Sequence, residues 1–394
     1  LSANLSLVAF INLREGEKKM KSFASKLCLS AIVVFVAVFA LSGVGLAQDT
    51  IKLGVAGAHS GDLASYGIPS IRAAELVVKD ANAKGGVLGK QIELLLGDDA
   101  CKPELATNVA TKLVSDGVNV VLGHICSGAT KAALNIYGSA KIVVMSPSAT
   151  NTELTLSGEY PNFFRTIAYD DAQARLQVDF AKDVLKVKRV ACLHDKGDYG
   201  KGQSTLAKKF FEEAGIEVAL FEGVTPGAVD YSAIVQKIKR ENVDLVVWGA
   251  YHPEASKIVT LMRKKKMDTP FMGADGIKDE TFIKVAGEFA EGVFATGPRD
   301  VSQNPLFIAA KKAHQEAYGE DPGPFFTEAY SAALALLNAI EKGGSTEFEA
   351  ITKALRSEYV DTPLGSISFD QNGDAIGIGF SVYQVKNGVF TTVQ

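Results

Sequence analysis

GHICSGATKAALNIYGSAKIVVMSPSATNTELT, residues 123–155, reads as a strand end, a helix, a strand and a second strand end. Val120–Gly123 and Ile142–Met145 are short β-branched runs of the kind that fill buried parallel strands. Between them Ser127–Ser139 carries Ala and Leu at helical spacing. Such a unit brings the carboxyl ends of neighbouring strands to one crevice. Here those ends deliver small hydroxyl residues, Ser127 at a helix N-terminus and Ser148 and Thr150 after the next strand. Free backbone N–H groups, the positive end of a helix and hydroxyl donors make a seat for a carboxylate or a phosphate. The same residues also suit an N-cap and a turn, and the stretch alone leaves both readings open.

Outward from this unit the alternation continues on both sides. Before it, Ile51–Ala56 reads as a strand, Tyr66–Ala83 as an amphipathic helix stopped by Gly85-Gly86, Gln91–Gly97 as a strand and Pro103–Asp116 as a helix with proline in its first turn. After Phe163-Phe164-Arg165-Thr166 come helices near Asp171–Val184, Tyr199–Ala214, Tyr231–Arg240 and Pro253–Lys264. Strand patterns at Val190–His194, Ile216–Phe221, Asp244–Trp248, Phe271-Met272 and Gly292–Thr296 alternate with them. Repeated βα alternation predicts an α/β protein of parallel sheets with helices on both faces.

Beyond Gly297-Pro298 the pattern turns helical through Asn304–Tyr318, Phe325–Lys342 and Thr346–Ser357, and strands return at Ile367–Phe369 and Ile378–Val385. Residues 300–360 lack a sheet of their own, so these helices are expected to pack back on the first sheet. The chain length after the leader exceeds a single core and predicts two lobes. The expected division is 48–168 plus 299–378 for the N-terminal lobe and 169–298 plus 379–394 for the C-terminal lobe. Crossings then fall at Ile167–Asp170, Thr296–Arg299 and Ile376–Gly379, an arrangement suited to hinge closure around a ligand.

Residues 1–47 read as a secretory leader with upstream residues. Lys18, Lys19, Lys21 and Lys26 precede an apolar run from Leu27 to Leu41, and Gly45-Leu46-Ala47 supplies small residues for cleavage near Ala47. The run is short for a membrane span and none comparable follows, so an exported protein is expected. Without these residues the chain has 36 basic against 43 acidic side chains, a net charge of −7. That acidic balance, with no basic run interleaved with aromatics, excludes a general nucleic-acid or anionic-membrane binder.

Cys101 and Cys126 each follow a strand on the same crevice edge, and a disulfide between them is expected in an oxidising compartment. Cys192, inside the strand pattern Arg189–Leu193, reads as a core thiol. The histidines are dispersed and no C-x-x-C pair is present, so neither a zinc site nor any other cofactor is expected. No nucleophile elbow, phosphate loop or complete dinucleotide fingerprint occurs. His194-Asp195 at a strand end reads as a turn cap, and Asp98-Asp99 as holding the loop before Cys101. An enzyme is not expected.

Several markers in order resemble the leucine/isoleucine/valine-binding proteins, the substrate-binding subunits of bacterial ABC transporters. They are Ile51–Gly54, Ser60-Gly61 through Tyr66-Gly67, Asp80–Gly86, Asp98–Cys101, Gly123–Ser127, Ser146–Asn151, His194–Lys196 with Tyr199-Gly200, and Phe271–Gly273. The resemblance covers essentially all of the chain after the leader and implies the two-lobed type I periplasmic-binding fold, with a Cys101–Cys126 disulfide. It places a ligand α-carboxylate on Ser127 and Thr150, beside backbone groups of Ser148 and Ala149. The α-ammonium would meet Tyr251 and Asp275, and Tyr66, Tyr199 and Phe325 would line the side-chain pocket. Asp275 stands where the best-studied branch carries glutamate. His59 stands near this cleft with no role assigned.

The implied function is capture of an aliphatic, branched-chain type L-amino acid by a periplasmic monomer that delivers it to an ABC permease in the inner membrane. Another small carboxylate, such as an aromatic acid or γ-amino acid, and use as a ligand sensor are the alternatives.

Overall fold

The computed structural model describes residues 50–393, and the leader expected over residues 1–47 lies outside them. The first half alternates as its spacing predicts. It runs β1 (Ile51–Gly57), α1 (Ala64–Ala83), β2 (Ile92–Asp98), α2 (Pro103–Ser115), β3 (Val120–Leu122), α3 (Ser127–Ser139), β4 (Val143–Ser146), α4 (Glu153–Leu156) and β5 (Phe163–Arg165). These strands form a wholly parallel sheet in the order β2-β1-β3-β4-β5.

The next stretch builds a second sheet. Its elements are α5 (Asp170–Asp183), β6 (Arg189–His194), α6 (Asp198–Glu213), β7 (Glu217–Gly223), α7 (Ser232–Glu241), β8 (Leu245–Trp248), α8 (His252–Lys264), β9 (Phe271–Gly273), α9 (Glu280–Ala286) and β10 (Phe294–Pro298). The helices α10 (Pro305–Tyr318), α11 (Phe326–Gly343) and α12 (Phe348–Ser357) follow, then a small hairpin of β11 (Val360–Thr362) and β12 (Gly365–Ile367). Finally β13 (Phe380–Lys386) and β14 (Val389–Thr392) return to the second sheet, ordered β14-β13-β10-β9-β8-β6-β7, where both run antiparallel to their neighbours.

The short strands are buried on both faces, and their pleat sorts alternate residues into separate cores. In the first sheet Val120, Leu122, Val143 and Met145 meet Phe326, Leu336 and Ile340 of α11, while Val121 and Val144 meet Ala110, Leu113 and Ala133 of α2 and α3. The helices after residue 300 thus do cover the first sheet. In the second, Val246 and Trp248 face one core and Leu245 and Val247 the other. Each such aliphatic side chain contributes about 1.5–3 kcal/mol on burial.

Several details depart from the sequence reading, among them the short helix α4 and the strands β5 and β11, which it does not name. The strand expected at Ile367–Phe369 is the hairpin arm Gly365–Ile367, and Phe369 makes only a single bridge to Ala375. A 3-10 turn at Asp275–Ile277 and the short helix α9 occupy a stretch that showed no periodicity. The edge strand β14 is likewise unmarked in the sequence; it is mostly exposed and only four residues long.

The chain passes between the sheets three times. These passages follow β5, follow β10 and precede β13, and they lie together, with the Arg299 N–H donating to the Gly379 carbonyl at 2.9 Å. Thr166, Ile167, Pro298, Arg299 and Ile378 line a small cavity among them. Among the described residues no helix is long and apolar enough to cross a membrane. Cys101 and Cys126 are joined as a disulfide across a Cα separation of 5.4 Å, as expected, and Cys192 is fully buried, where burial pushes its thiol pKa far upward.

Candidate ligand-binding site

Strand order reverses between β1 and β3 in the first sheet and between β6 and β8 in the second. Ligands of open α/β sheets bind outside the carboxyl ends of strands at such points. The two reversals face each other across one cavity, lined by Tyr66, Ile125, Ser127, Ser148 and Phe325 from the first sheet's side and Tyr199, Tyr251, Asp275 and Gly276 from the second's. Every one of these residues follows a strand end or sits near the start of the helix after it, except Phe325. That residue takes a left-handed conformation (φ 59°) at the cap of α11 and turns its ring to within 5.8 Å of Tyr66.

On the first side, Ser127 is the first residue of α3, with Cys126 in the cap position. Its Oγ accepts the Asn151 N–H at 3.2 Å, which leaves its own hydrogen free to donate. The Thr150 hydroxyl is buried with no hydrogen-bond partner. Ser148 differs, because its hydroxyl donates to the Ile125 carbonyl at 2.8 Å. The N–H groups of Ser148 and Ala149 both point at Ser146 Oγ, at 3.3 and 2.9 Å. The loop is held from behind by Arg165, whose guanidinium donates to the carbonyls of Ala149 (3.2 Å) and Asn151 (2.9 Å) and pairs with Asp374.

On the second side, Asp275 opens the 3-10 turn and is 2% exposed. Tyr199 donates to its Oδ1 at 2.5 Å and accepts the Gly276 N–H at 3.1 Å. Gly276 has to be glycine, since a Cβ there would lie 2.8 Å from the Ala250 carbonyl and 3.0 Å from the Tyr199 ring. Burial raises the Asp275 carboxyl to about 6, with the Tyr199 hydrogen bond opposing the rise. Tyr251, at the cap of α8, stacks between Tyr199 (5.0 Å) and Tyr66 (5.9 Å), and Trp248 Nε1 holds its carbonyl at 3.0 Å.

A second acid was not anticipated. Asp170, the first residue of α5, is 1% exposed, and neither of its oxygens has a hydrogen-bond partner. Its backbone N–H donates to the Thr150 carbonyl at 2.9 Å. Burial pushes its carboxyl up to about 8, and the nearby Asp275 carboxylate adds to the rise, against Thr150 and Arg165. The cavity thus joins the Ser127 hydroxyl at a helix start to the buried Asp275 carboxyl between aromatic walls, with no Lys, Arg or His side chain among the lining residues; Ala149, Thr150 and Asp170 are not among them.

The sequence profile of periplasmic binding proteins matches residues 50–389. The leucine-, isoleucine-, valine-, threonine- and alanine-binding protein of Pseudomonas aeruginosa is 38% identical over 356 residues, 90% of this chain and 95% of its own. This chain belongs to the periplasmic binding protein family. Among solved structures, a leucine-binding protein from Thermotoga maritima superposes with a TM-score of 0.82 at 26% identity, covering 88% of this chain and 98% of that one. A branched-chain amino acid transporter substrate-binding protein from Streptococcus pneumoniae, in complex with isoleucine, gives 0.77 at 29% identity, covering 88% of this chain and all of its own. The expected two-lobed type I fold is therefore correct, and the relatives are named as binding proteins, not enzymes. Among the described residues no group of His, Cys, Asp or Glu is arranged to hold a metal ion.

The other residues singled out have structural partners in this binding protein. His194 Nδ1 accepts the Lys196 N–H and Asp195 the Gly197 N–H, a pair of turn bonds. Asp98 accepts the N–H groups of His59 and Ala100, and Asp99 those of Cys101 and the His124 ring. His59 is half-buried beside them, and burial lowers its pKa.

Proposed function

We propose that this protein is the periplasmic substrate-binding component of an ABC transporter and captures an aliphatic L-amino acid by closing its lobes, then presents it to an inner-membrane permease. The lobes are residues 48–168 plus 299–378 and residues 169–298 plus 379–394, hinged at the three passages between sheets. The observation that carries the reading is the charge complement of the cavity. The Ser127 hydroxyl at the start of α3 keeps its hydrogen to donate to a carboxylate, and the Thr150 hydroxyl after β4, close to Asp170, makes no well-formed hydrogen bond. On the opposite side Asp275 is a buried carboxyl with no cationic side chain among the lining residues, and Asp170, beside Thr150, is a second buried carboxyl near it. A zwitterion with its ammonium toward Asp275 satisfies both ends at once, whereas a plain carboxylic acid leaves that acid uncompensated.

The side-chain pocket is apolar for the same structural reason. Tyr66 and Tyr199 line it with rings whose hydroxyls are already committed, to Gly276 and Asp275 respectively. With Ile125, Tyr251 and Phe325 they leave an aliphatic side chain surrounded by carbon, which suits the leucine, isoleucine and valine named for the Pseudomonas relative.

Calorimetric titration with L-leucine, L-isoleucine, L-valine, L-threonine and L-alanine, each beside its des-amino acid, tests the proposal. Binding of at least one amino acid with at least tenfold preference over its des-amino partner is expected. Preference for the acid lacking the amino group would replace this reading with that of another small carboxylate.

A further inference from the structure

The closed cleft carries a set of cross-lobe hydrogen bonds that is complete without any ligand. Ser65 and Tyr66 stand at the start of α1, following β1 of the first sheet, whereas His252, Gly276 and Asp279 follow β8 and β9 of the second. Tyr66 donates to the Gly276 carbonyl at 2.6 Å. A phenol has a single hydrogen, so its contact with His252 Nδ1, also at 2.6 Å, requires the imidazole to be the donor there. The tautomer of His252 is thereby fixed with its hydrogen on Nδ1. Asp279 Oδ2 lies 3.5 Å from the same nitrogen and accepts the Ser65 hydroxyl, and its other oxygen caps α9 through the Thr281 N–H at 2.7 Å. Tyr66, His252 and Asp279 are 1%, 2% and 3% exposed, so these bonds form in a site that water has left.

None of these polar atoms is left over for a ligand. Hydrogen bonds of this kind are made only when the lobes meet, so they stabilise the closed state and not the encounter of ligand with the open one. We infer that His252, Asp279 and Ser65, acting through Tyr66, form a latch on the closed cleft that sets how long a captured ligand is held, leaving which ligand is chosen to the cavity. His252 and Asp279 are positioning residues in this role. The inference rests on capture by lobe closure but not on the ligand's chemical identity.

The experiment uses the processed full chain and its single tryptophan, Trp248, which is buried in the second lobe next to the Tyr251 carbonyl it holds. Stopped-flow fluorescence with L-leucine, L-isoleucine and L-valine is recorded for the native protein and for Ser65→Ala, His252→Phe and Asp279→Asn. A latch predicts dissociation faster by tenfold or more in His252→Phe and Asp279→Asn and about threefold in Ser65→Ala. Association should stay within twofold, and the rank order of ligands should be unchanged. A merely structural role would lower the melting temperature and leave the split between the two rates unaltered. Ser65→Ala removes only a hydroxyl near the cleft rim and keeps the test alive if a larger change fails to fold. Unchanged dissociation in all three variants, or a loss confined to association, overturns the inference. A native protein silent to every amino acid would instead overturn the amino-acid reading. The latch is then decided without ligand, by spin labels on the two lobes: the variants must depopulate the short-distance form, and an unchanged distance distribution rejects it.

Discussion

The Tyr199 hydroxyl donates to Asp275 at 2.5 Å while accepting the Gly276 N–H at 3.1 Å, so the aromatic wall of the cavity also aims its acid. The protein thereby fixes Asp275 on one side, with Gln173 also close enough to favour its charged form. Tyr199 thus serves the charge on the site as much as the shape of the pocket.

Tyr199→Phe should therefore act through the protonation of Asp275. The Asp275 carboxyl is raised to about 6 by burial, and removing the Tyr199 hydrogen bond that opposes this rise moves it further up. The ammonium needs the ionised form, so the variant loses more affinity at pH 6 than at pH 8. A dissociation constant about tenfold weaker at pH 6, shrinking toward a few-fold at pH 8, is expected from calorimetry at the two pH values. A uniform loss at both would mean that Tyr199 contributes packing alone.

Asp170 gives a prediction for the empty protein. Its carboxyl sits at about 8 against an ordinary 3.8 because burial disfavours the charged form, and cleft opening that admits water relaxes it toward the ordinary value. The group binds its proton more tightly in the closed form, so empty closure is disfavoured above pH 8 and becomes easier as the pH falls toward 4. His252 contributes the opposite sign, because its pKa is lowered by burial. Comparing native protein with Asp170→Asn cancels that contribution. Spin-label distances without ligand should show closure rising from pH 8 to pH 5 in the native protein relative to the variant, in which closure is already easier at pH 8.

What the sequence revealed and what it concealed divide along a physical line. Buried parallel strands such as Val120–Leu122 and Val143–Ser146 announce themselves as unbroken β-branched runs, and proline at the start of α2 marks a helix N-terminus. Ser127 and Thr150 can be proposed from sequence because the ends of adjacent strands must share a crevice, and of the two Ser127 lines the cavity. Tyr66, Tyr199, Tyr251, Asp275 and Phe325 were named only through resemblance, since nothing local marks an aromatic residue as lining a cleft. The partnership of Tyr66 with His252 spans 186 residues and two sheets, which no periodicity can report. Asp170 stood in a plain acidic helix start, Asp170-Asp171, and only its burial without a partner distinguishes it from its exposed neighbour. The 3-10 turn that presents Asp275 is three residues long, too short for any repeating pattern.

The disulfide supplies a stability prediction. Its closing of a 25-residue separation corresponds to about 3 kcal/mol on the chain-entropy account. Alkylation of the unreduced, processed protein should label Cys192 alone, and only after unfolding, because that thiol is fully buried. Replacing both Cys101 and Cys126 by serine should lower the denaturation midpoint measurably while leaving Cys192 protected in the native state. Labelling of all three cysteines in unreduced protein would show that the bridge does not form.

Asp275 carries the most direct test of the ligand's amino group. Aspartate is one methylene shorter than the glutamate of the resembling proteins, so the ammonium must come closer to the second lobe than it would to a glutamate. Two features of the proposed site would serve this. Tyr199 and the tight Gly276 backbone hold the shorter acid against the cavity, and Asp170 adds a second carboxyl near it from the start of α5. A charge-assisted hydrogen bond to a buried ammonium contributes about 1.5–3 kcal/mol. Asp275→Ala should therefore weaken amino-acid binding by about tenfold or more, with the melting temperature of the ligand-free protein held within a few degrees. Asp275→Asn keeps the size and can still accept the Tyr199 hydrogen bond but removes the charge, so it should fall close to the alanine variant if charge is what matters. Neither substitution should weaken whatever binding the des-amino acid shows, because that molecule has nothing to offer a carboxylate. Calorimetry in which Asp275→Ala binds the amino acid as well as the native protein would remove the ammonium from this end of the cavity.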